Sequence, residues 1–358
     1  VKLFNQFLPA FIDADAISNQ AAALHPLALG MGWQARLFTA YPSARTDVHS
    51  QAYQTYTAQP GDVNLLHFGI GTDLDAFLCG QPAPLVLYHH NVTPPEFLAA
   101  YNPAFARQAQ LGRERLPSLL SKTRFALADS VFNASELRAA GYAHDVLVLP
   151  PVLGRSATRD RIAARERASS DLTPEREARW LFVGRLVPNK GQDALIRAFA
   201  HYHHHLNAAS TLTLIGSSRT APGYDKYLRA LAHTLGVAGA VQMGPATEDE
   251  LTGHYARAHV FVSLSQHEGF CVPLIEAMNA NLPIVALARA AVTDTMGQAG
   301  VLLASAHPAL VAEAVNAVIT HPPLREQVLA AQRERAQAFA QPVVEAQAKA
   351  VLQRLAAL

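Results

Sequence analysis

Cysteine is scarce in this chain. There are two among 358 residues, Cys79 and Cys271. Two thiols cannot make a disulfide framework, so a reduced, cytoplasmic setting is expected. Charge is thin as well: 16% of residues are Asp, Glu, Lys or Arg, and the net charge is +1. No strong pull on polyanions follows, which argues against nucleic acid as the main partner. No apolar run reaches the roughly 18 residues of a membrane span. The start shows no charged-then-apolar leader and no initiating Met, so a processed or trimmed beginning is expected. No short internal repeat is visible. What is present is a chain half of whose residues are hydrophobic, long enough for two domains of ordinary size.

Apolar runs and helical stretches alternate throughout. Lys2–Phe7, Trp33–Thr39, Asn64–Phe68, Leu85–Tyr88, Arg124–Ala128 and Val146–Leu149 read as buried strands. Helices are expected over Ser18–Leu29, with Ser18 as N-cap, over Pro95–Arg115 with a break near Asn102-Pro103, and over Ser135–Ala140. The pattern lapses at Pro150-Pro151 and through the charged stretch Arg155–Arg179, which reads as a linker. A second series follows: Trp180–Val183, Thr211–Ile215, Val241–Met243, Val260–Leu264, Ile284–Ala286 and Val301–Leu303. Such alternation predicts two doubly wound parallel α/β sheets, over residues 1–154 and 180–341, joined by a linker over 155–179. Ligands of such sheets bind beyond the C-terminal strand ends.

Two segments carry the chemistry. Ser265-Gln266-His267-Glu268-Gly269-Phe270-Cys271-Val272-Pro273 runs from a strand through a Gly turn into a helix, and Glu276 follows Glu268 by eight residues. That turn offers free N–H groups and the positive end of a helix dipole, which bind anions. Upstream, Phe182-Val183-Gly184-Arg185-Leu186-Val187-Pro188-Asn189-Lys190-Gly191 sets two cations in a strand-to-helix loop. Arg supplies a planar fork of donors and Lys a compact charge.

Together these segments resemble the E-x7-E signature and the diphosphate loop of retaining glycosyltransferases with the GT-B fold, the group 1 (GT4-type) family. The stretch Trp180 to Gly300 resembles that family's nucleotide-sugar domain; the N-terminal half is similar more weakly. The resemblance implies two Rossmann-like domains facing a cleft, with the final helix (342–358) crossing back onto the first domain. It implies transfer of a hexose from a UDP- or GDP-linked sugar to a hydroxyl of a glycan or glycolipid, with retained anomeric configuration and without metal or other cofactor. Arg185, Lys190, Gly184 and the turn Gly269, Phe270, Cys271 and Val272 would hold the diphosphate. Glu276 would take the ribose hydroxyls, and the loop Gly244–Thr247 would face the base. Glu268 would contact the hexose beside the reacting carbon. His90, ending the strand Leu85–Tyr88, matches a family histidine near the donor sugar; His89 is the alternative, and His67 a weaker one. Asp15, in the first strand-to-helix loop beside Ala14, would bind acceptor hydroxyls or cap a helix. Relatives often carry Gly where Ala14, Ala16 and Cys271 stand. The basic residues Arg107, Arg113, Arg115, Lys122 and Arg124 would suit the inner membrane surface, where a lipid-linked glycan acceptor would place the enzyme, or simply a solvated helix face. The alternatives are a nucleotide-sugar-binding protein without activity, or a hydrolase or epimerase on the same scaffold.

Other signals point nowhere new. Asp13-x-Asp15 and Asp73-x-Asp75 are short matches to a metal-binding pattern, and the second reads as first-turn helix residues answering the dipole. The run His201-Tyr202-His203-His204-His205 closes a helix without an identifiable third ligand. Asn133-Ala134-Ser135 fits a glycosylation acceptor that a cytoplasmic chain would never use.

Overall fold

A computed structural model describes residues 2–13, 15–41, 45, 47–152 and 177–357. It divides into two compact units: residues 1–95, 106–154 and 339–358 form the first, and 96–105 with 155–338 the second. The expected linker 155–179 lies outside the described residues up to 176, and its last residue, Arg179, already opens a strand.

The first unit holds seven strands: β1 (Leu3–Leu8), β2 (Gln34–Thr39), β3 (Ser50–Ala52), β4 (Asp62–Phe68), β5 (Leu85–His89), β6 (Thr123–Ala128) and β7 (Val146–Val148). Their order is β3-β2-β1-β4-β5-β6-β7, with every pairing parallel. β1, β4 and β5 are buried along their whole length, as strands covered on both faces must be. The final helix, Gln341–Leu355, sets Val344, Ala348, Val351, Leu352 and Leu355 into one core with Phe4, Trp33, Val63 and Tyr88. This spacing of three and four residues is one helix face.

The second unit holds β8 (Arg179–Val183), β9 (Thr211–Ile215), β10 (Val241–Gly244), β11 (Val260–Ser263), β12 (Ile284–Leu287) and β13 (Val301–Leu303), in the order β10-β9-β8-β11-β12-β13. All are parallel. Trp180, Phe182, Leu212, Leu214, Val260 and Val262 lie in its core against Phe199 and Tyr202 of the helix Gln192–His205. The order reverses between β8 and β11, so the loops after these strands flank the place where such sheets take ligands.

One boundary differs from the sequence reading. Glu96–Phe105 clusters with the second unit although it lies within residues 1–154. Its Tyr101 ring packs edge-on against Tyr224, centroids 5.1 Å apart, and Asn102 Nδ2 donates to the Thr220 carbonyl at 3.1 Å. Aromatic burial and a satisfied carbonyl outweigh sequence proximity there. Among the described residues no helix is long and apolar enough to cross a membrane.

Candidate active site

In the second unit, β8 leads into Gly184, whose φ of 154° and N–H bond to the Ile215 carbonyl (2.9 Å) hold it beside β9. Arg185 follows with its side chain exposed, and its carbonyl accepts from Gln192 Nε2 at 2.8 Å. Pro188–Lys190 forms one 3₁₀ turn that ends at Gly191. Gly191 has φ 68°, and a Cβ there would lie 2.2 Å from the Leu264 carbonyl oxygen. Only glycine permits both the left-handed turn and this approach to the chain after β11.

That approach joins the two sequence segments. Gln266 N–H donates to the Asn189 carbonyl at 2.9 Å, and Asn189 Nδ2 donates to the His267 carbonyl at 3.0 Å. The result is an ion pair between Lys190 Nζ and Glu268 Oε2, both largely buried. Breaking such a pair by removing one partner is costly, because the other charge remains desolvated.

Beyond Glu268 the chain turns through Cys271, which takes φ 73°, ψ 68° as N-cap of the helix Val272–Asn279. Pro273 occupies the second helical position, where no N–H is needed. The N–H groups of Gly269, Cys271 and Val272 have no hydrogen-bond acceptor among the described residues. Thr295 Oγ1 donates to the Phe270 carbonyl and so fixes the turn. Burial, and then the neighbouring Glu268 carboxylate, push the Cys271 thiol well up, so it remains a neutral S–H. A neutral thiol is the weakly nucleophilic form. One turn into the helix, Glu276 Oε2 accepts from the Tyr255 hydroxyl at 2.8 Å. Tyr255 is buried in the helix Glu248–Arg257, its ring stacked on Phe261 of β11. At the C-terminal ends of β8 and β11, then, stand Arg185, the Lys190–Glu268 pair, a turn of unpaired donors and a held carboxylate. Such a set suits an anion carrying hydroxyl groups on either side.

The first unit gathers a separate polar cluster at its own strand ends. His90 Nε2 meets His67 Nδ1 at 2.8 Å, and His90 Nδ1 meets Asp129 Oδ2 at 2.9 Å. His67 Nε2 in turn meets Gln6 Oε1 at 2.9 Å. Burial first, and the His90 ring second, push the His67 ring well below its ordinary range, so it is neutral in the fold. Both ring nitrogens of His90 thus have protein partners, which orient the ring. Strand alternation sends His89 to the other side, where Nε2 meets Glu136 at 3.2 Å. Asn91 takes φ 75° and donates to Asn133 and Glu136.

Asp15 is the N-cap of the helix Ala16–Gly30: Oδ2 accepts from Ser18 N–H at 2.9 Å and from Ser18 Oγ at 2.8 Å. The cap assigned to Ser18 therefore belongs to Asp15, because a carboxylate immediately before the first helical residue reaches the orphan N–H groups, whereas the Ser18 hydroxyl lies inside the first turn. Ala14 lies outside the described residues. Asp73 and Asp75 open the helix Asp73–Cys79, and Asp75 closes a capping box with Thr72. Among the described residues no three His, Cys, Asp or Glu side chains group as a metal site would need. His203 and His204 at the end of Gln192–His205 bond to Ser210 and to the Leu235 carbonyl.

Sequence reasoning did not find Tyr255, Asn189, Asp129 or Gln6. None lies at a diagnostic spacing from the residues it holds, and only folding brings the partners together.

Comparison with known proteins adds to this geometry. Residues 164–335 match the family model described as glycosyl transferases group 1. A D-inositol 3-phosphate glycosyltransferase of Geodermatophilus obscurus is 35% identical over 204 residues, 54% of this chain and 44% of the relative. A GDP-mannose-dependent alpha-(1-6)-phosphatidylinositol monomannoside mannosyltransferase of Mycobacterium tuberculosis is 31% identical over 156 residues, 41% of this chain and 39% of the relative. The chain thus spans less than half the length of these curated relatives. Among solved structures, sucrose-phosphate synthase from Thermosynechococcus elongatus superposes with TM-score 0.77 at 16% identity, over all of both chains. Anabaena HepE, in complex with UDP and glucose, gives TM-score 0.74 at 18% identity, covering 98% of this chain and 99% of that one. At such identities the likeness speaks for the fold, two parallel α/β sheets of the GT-B kind.

Proposed function

We propose, from the match of residues 164–335 to the group 1 glycosyl transferase model and the geometry of the site, that this chain moves a hexose from a UDP- or GDP-linked sugar to a hydroxyl of a glycan or glycolipid, retaining the anomeric configuration. The observation that carries the reading is the Lys190–Glu268 pair beside the unpaired N–H groups of Gly269, Cys271 and Val272. A diphosphate would draw Lys190 and Arg185 to itself and accept from the turn, neutralising the leaving group without a metal. Glu268, released from Lys190, would then face the hexose. Its carboxylate stabilises the oxocarbenium-like charge that develops at the reacting carbon. Same-face attack, with the departing phosphate oxygen taking the acceptor's proton, needs no enzyme nucleophile. Glu276, held by Tyr255, would bind the ribose hydroxyls. HepE was solved with UDP and glucose, and the mannosyltransferase relative is named for GDP-mannose. These names support a nucleotide-sugar donor and leave both bases to be tried.

The test is incubation with UDP- and GDP-sugars, with and without glycan and lipid-linked acceptors, with chelator present. Glycoside formation with the donor's anomeric configuration is expected. Nucleotide release with only free sugar would make the chain a hydrolase. Binding without turnover across the acceptor panel would make it a binding protein.

A further inference from the structure

The basic run Arg107–Arg124 does not stay together in the fold. Arg113 Nη1 donates to the Val92 carbonyl at 2.6 Å, and its Nη2 lies 3.7 Å from Glu136. Arg115 Nη1 donates to the Thr72 carbonyl at 2.8 Å and lies 3.9 Å from Asp75. Those two charges are spent inside the first unit. Lys122, the last residue of the helix Pro103–Lys122, and Arg124 of β6 go elsewhere. They meet Arg354 of the final helix around a cavity of about 640 Å³ that Tyr142 also lines. Lys122 and Arg124 border a smaller neighbouring cavity of about 280 Å³ as well.

Three features mark this place. Among the described residues, Lys122, Arg124 and Arg354 form no ion pair with a carboxylate. The Arg354 guanidinium lies over the Phe125 ring, 5.4 Å from its centroid, which restricts where its donors point. Tyr142 is 6% exposed, and its buried hydroxyl has no hydrogen-bond partner. Burial pushes that phenol up and the Arg124 charge draws it back, so it remains an O–H donor. A buried hydroxyl without a partner is an expensive feature to retain. Asp145 is the one carboxylate in the lining.

The lining therefore offers an ammonium, two guanidiniums and a phenol as donors, against one carboxylate. We propose that this cavity binds a phosphomonoester dianion. Two negative charges match three cations less Asp145, and three phosphate oxygens can accept from forked guanidiniums and from Tyr142 together. The cavity lies at the N-terminal ends of β6 and β7, the opposite end of the parallel sheet from the His90 cluster. It is therefore a second ligand site rather than part of the one described above.

Two sources share this chemistry, a soluble sugar or glycerol phosphate and a lipid headgroup. The experiment separates them. The full chain is titrated with glycerol 3-phosphate while saturating UDP occupies the diphosphate site, and NMR follows the Tyr142 and Arg124 signals. Vesicles of phosphatidylcholine, with and without phosphatidic acid, are then used to sediment the protein. Saturable shifts that weaken at least fivefold in Arg124→Ala and Arg354→Ala, and weaken in Tyr142→Phe, are expected. Sedimentation that requires phosphatidic acid and is lost in the arginine variants would support the same site with lipid as the source. Shifts unchanged by all three substitutions mean an adventitious ion only and overturn the proposal. So does silence in both arms. Folding of each variant is checked by its unfolding midpoint. The readout needs no transferase activity, so failure here leaves the proposed function untouched.

Discussion

At the scale of the residue, the Lys190–Glu268 pair decides most. Lys190→Ala should weaken nucleoside diphosphate binding by about 1.5–3 kcal/mol, the range for a hydrogen bond to a charged group, read by calorimetry. It should also lower the melting temperature, because Glu268 would be left buried without its cation. Glu268→Ala should reduce turnover more than donor affinity, since its interaction grows as charge develops at the sugar. Equal losses in both would make it a simple donor-holding residue. Tyr255→Phe keeps the ring on Phe261 but removes the hydroxyl on Glu276. Nucleotide affinity should fall by about 0.5–1.5 kcal/mol, the net worth of one such bond. The difference between UDP and 2′-deoxy-UDP should shrink with it. A variant that binds UDP as well as the parent would show that Glu276 holds its place without the phenol.

At the scale of the element, caps and loops carry testable weight. Thr247 and Glu250 form a capping box at the start of Glu248–Arg257, the helix that presents Tyr255. Thr247→Ala should cost about 1 kcal/mol, seen as a lower urea midpoint with unchanged slope. Much of this layer was legible in sequence. Thr211–Ile215 and Val301–Leu303 are apolar runs with the same ends in the structure. Helix starts were read less well. Ser18 and Ser135 were placed at or near helix starts, but the chain turns helical at Ala16 and Val131, because Asp15 and Ser130 supply the capping oxygens. β3, Ser50–Ala52, escaped notice because a three-residue polar edge strand has no hydrophobic period. Pro26 sits inside the helix expected over Ser18–Leu29, and Pro117 lies where the helix Pro103–Lys122 runs on past the expected end at Arg115. Arg185, Lys190, Glu268 and Glu276 could be named from their two motifs and the family resemblance these carry. The contacts that hold them could not, since Tyr255 reaches Glu276, and Asn189 reaches Gln266 and His267, only once the chain has folded.

At the scale of the whole molecule, buried histidines set a pH dependence. Burial lowers His67 well below its ordinary range, lowers His259 to about 4, and lowers His25 and His254 as well. His259 Nδ1 accepts from Arg179 N–H at 3.0 Å, so a proton there would set donor against donor. Below about pH 6.5 the unfolded chain takes up protons that the fold refuses, so stability falls as pH drops toward 4. Asp75 acts oppositely. Burial raises it to about 6, so the fold binds its proton before the unfolded chain does, and this gains stability between about 6 and 3.8. One carboxyl against four rings should leave the net slope positive. The urea midpoint should be lower at pH 5 than at pH 7.5, and a flat profile would mean these rings open to water before the fold does. The division of the chain has a last consequence. Each unit borrows a piece from the other side of residue 155: Glu96–Phe105 serves the second, and Phe339–Leu358 the first. Cut between 160 and 170, the polypeptide becomes two fragments, neither holding everything its own core needs. Made apart, they should aggregate; made together, they should reassemble by complementation, so that a protease nick there need not inactivate the protein.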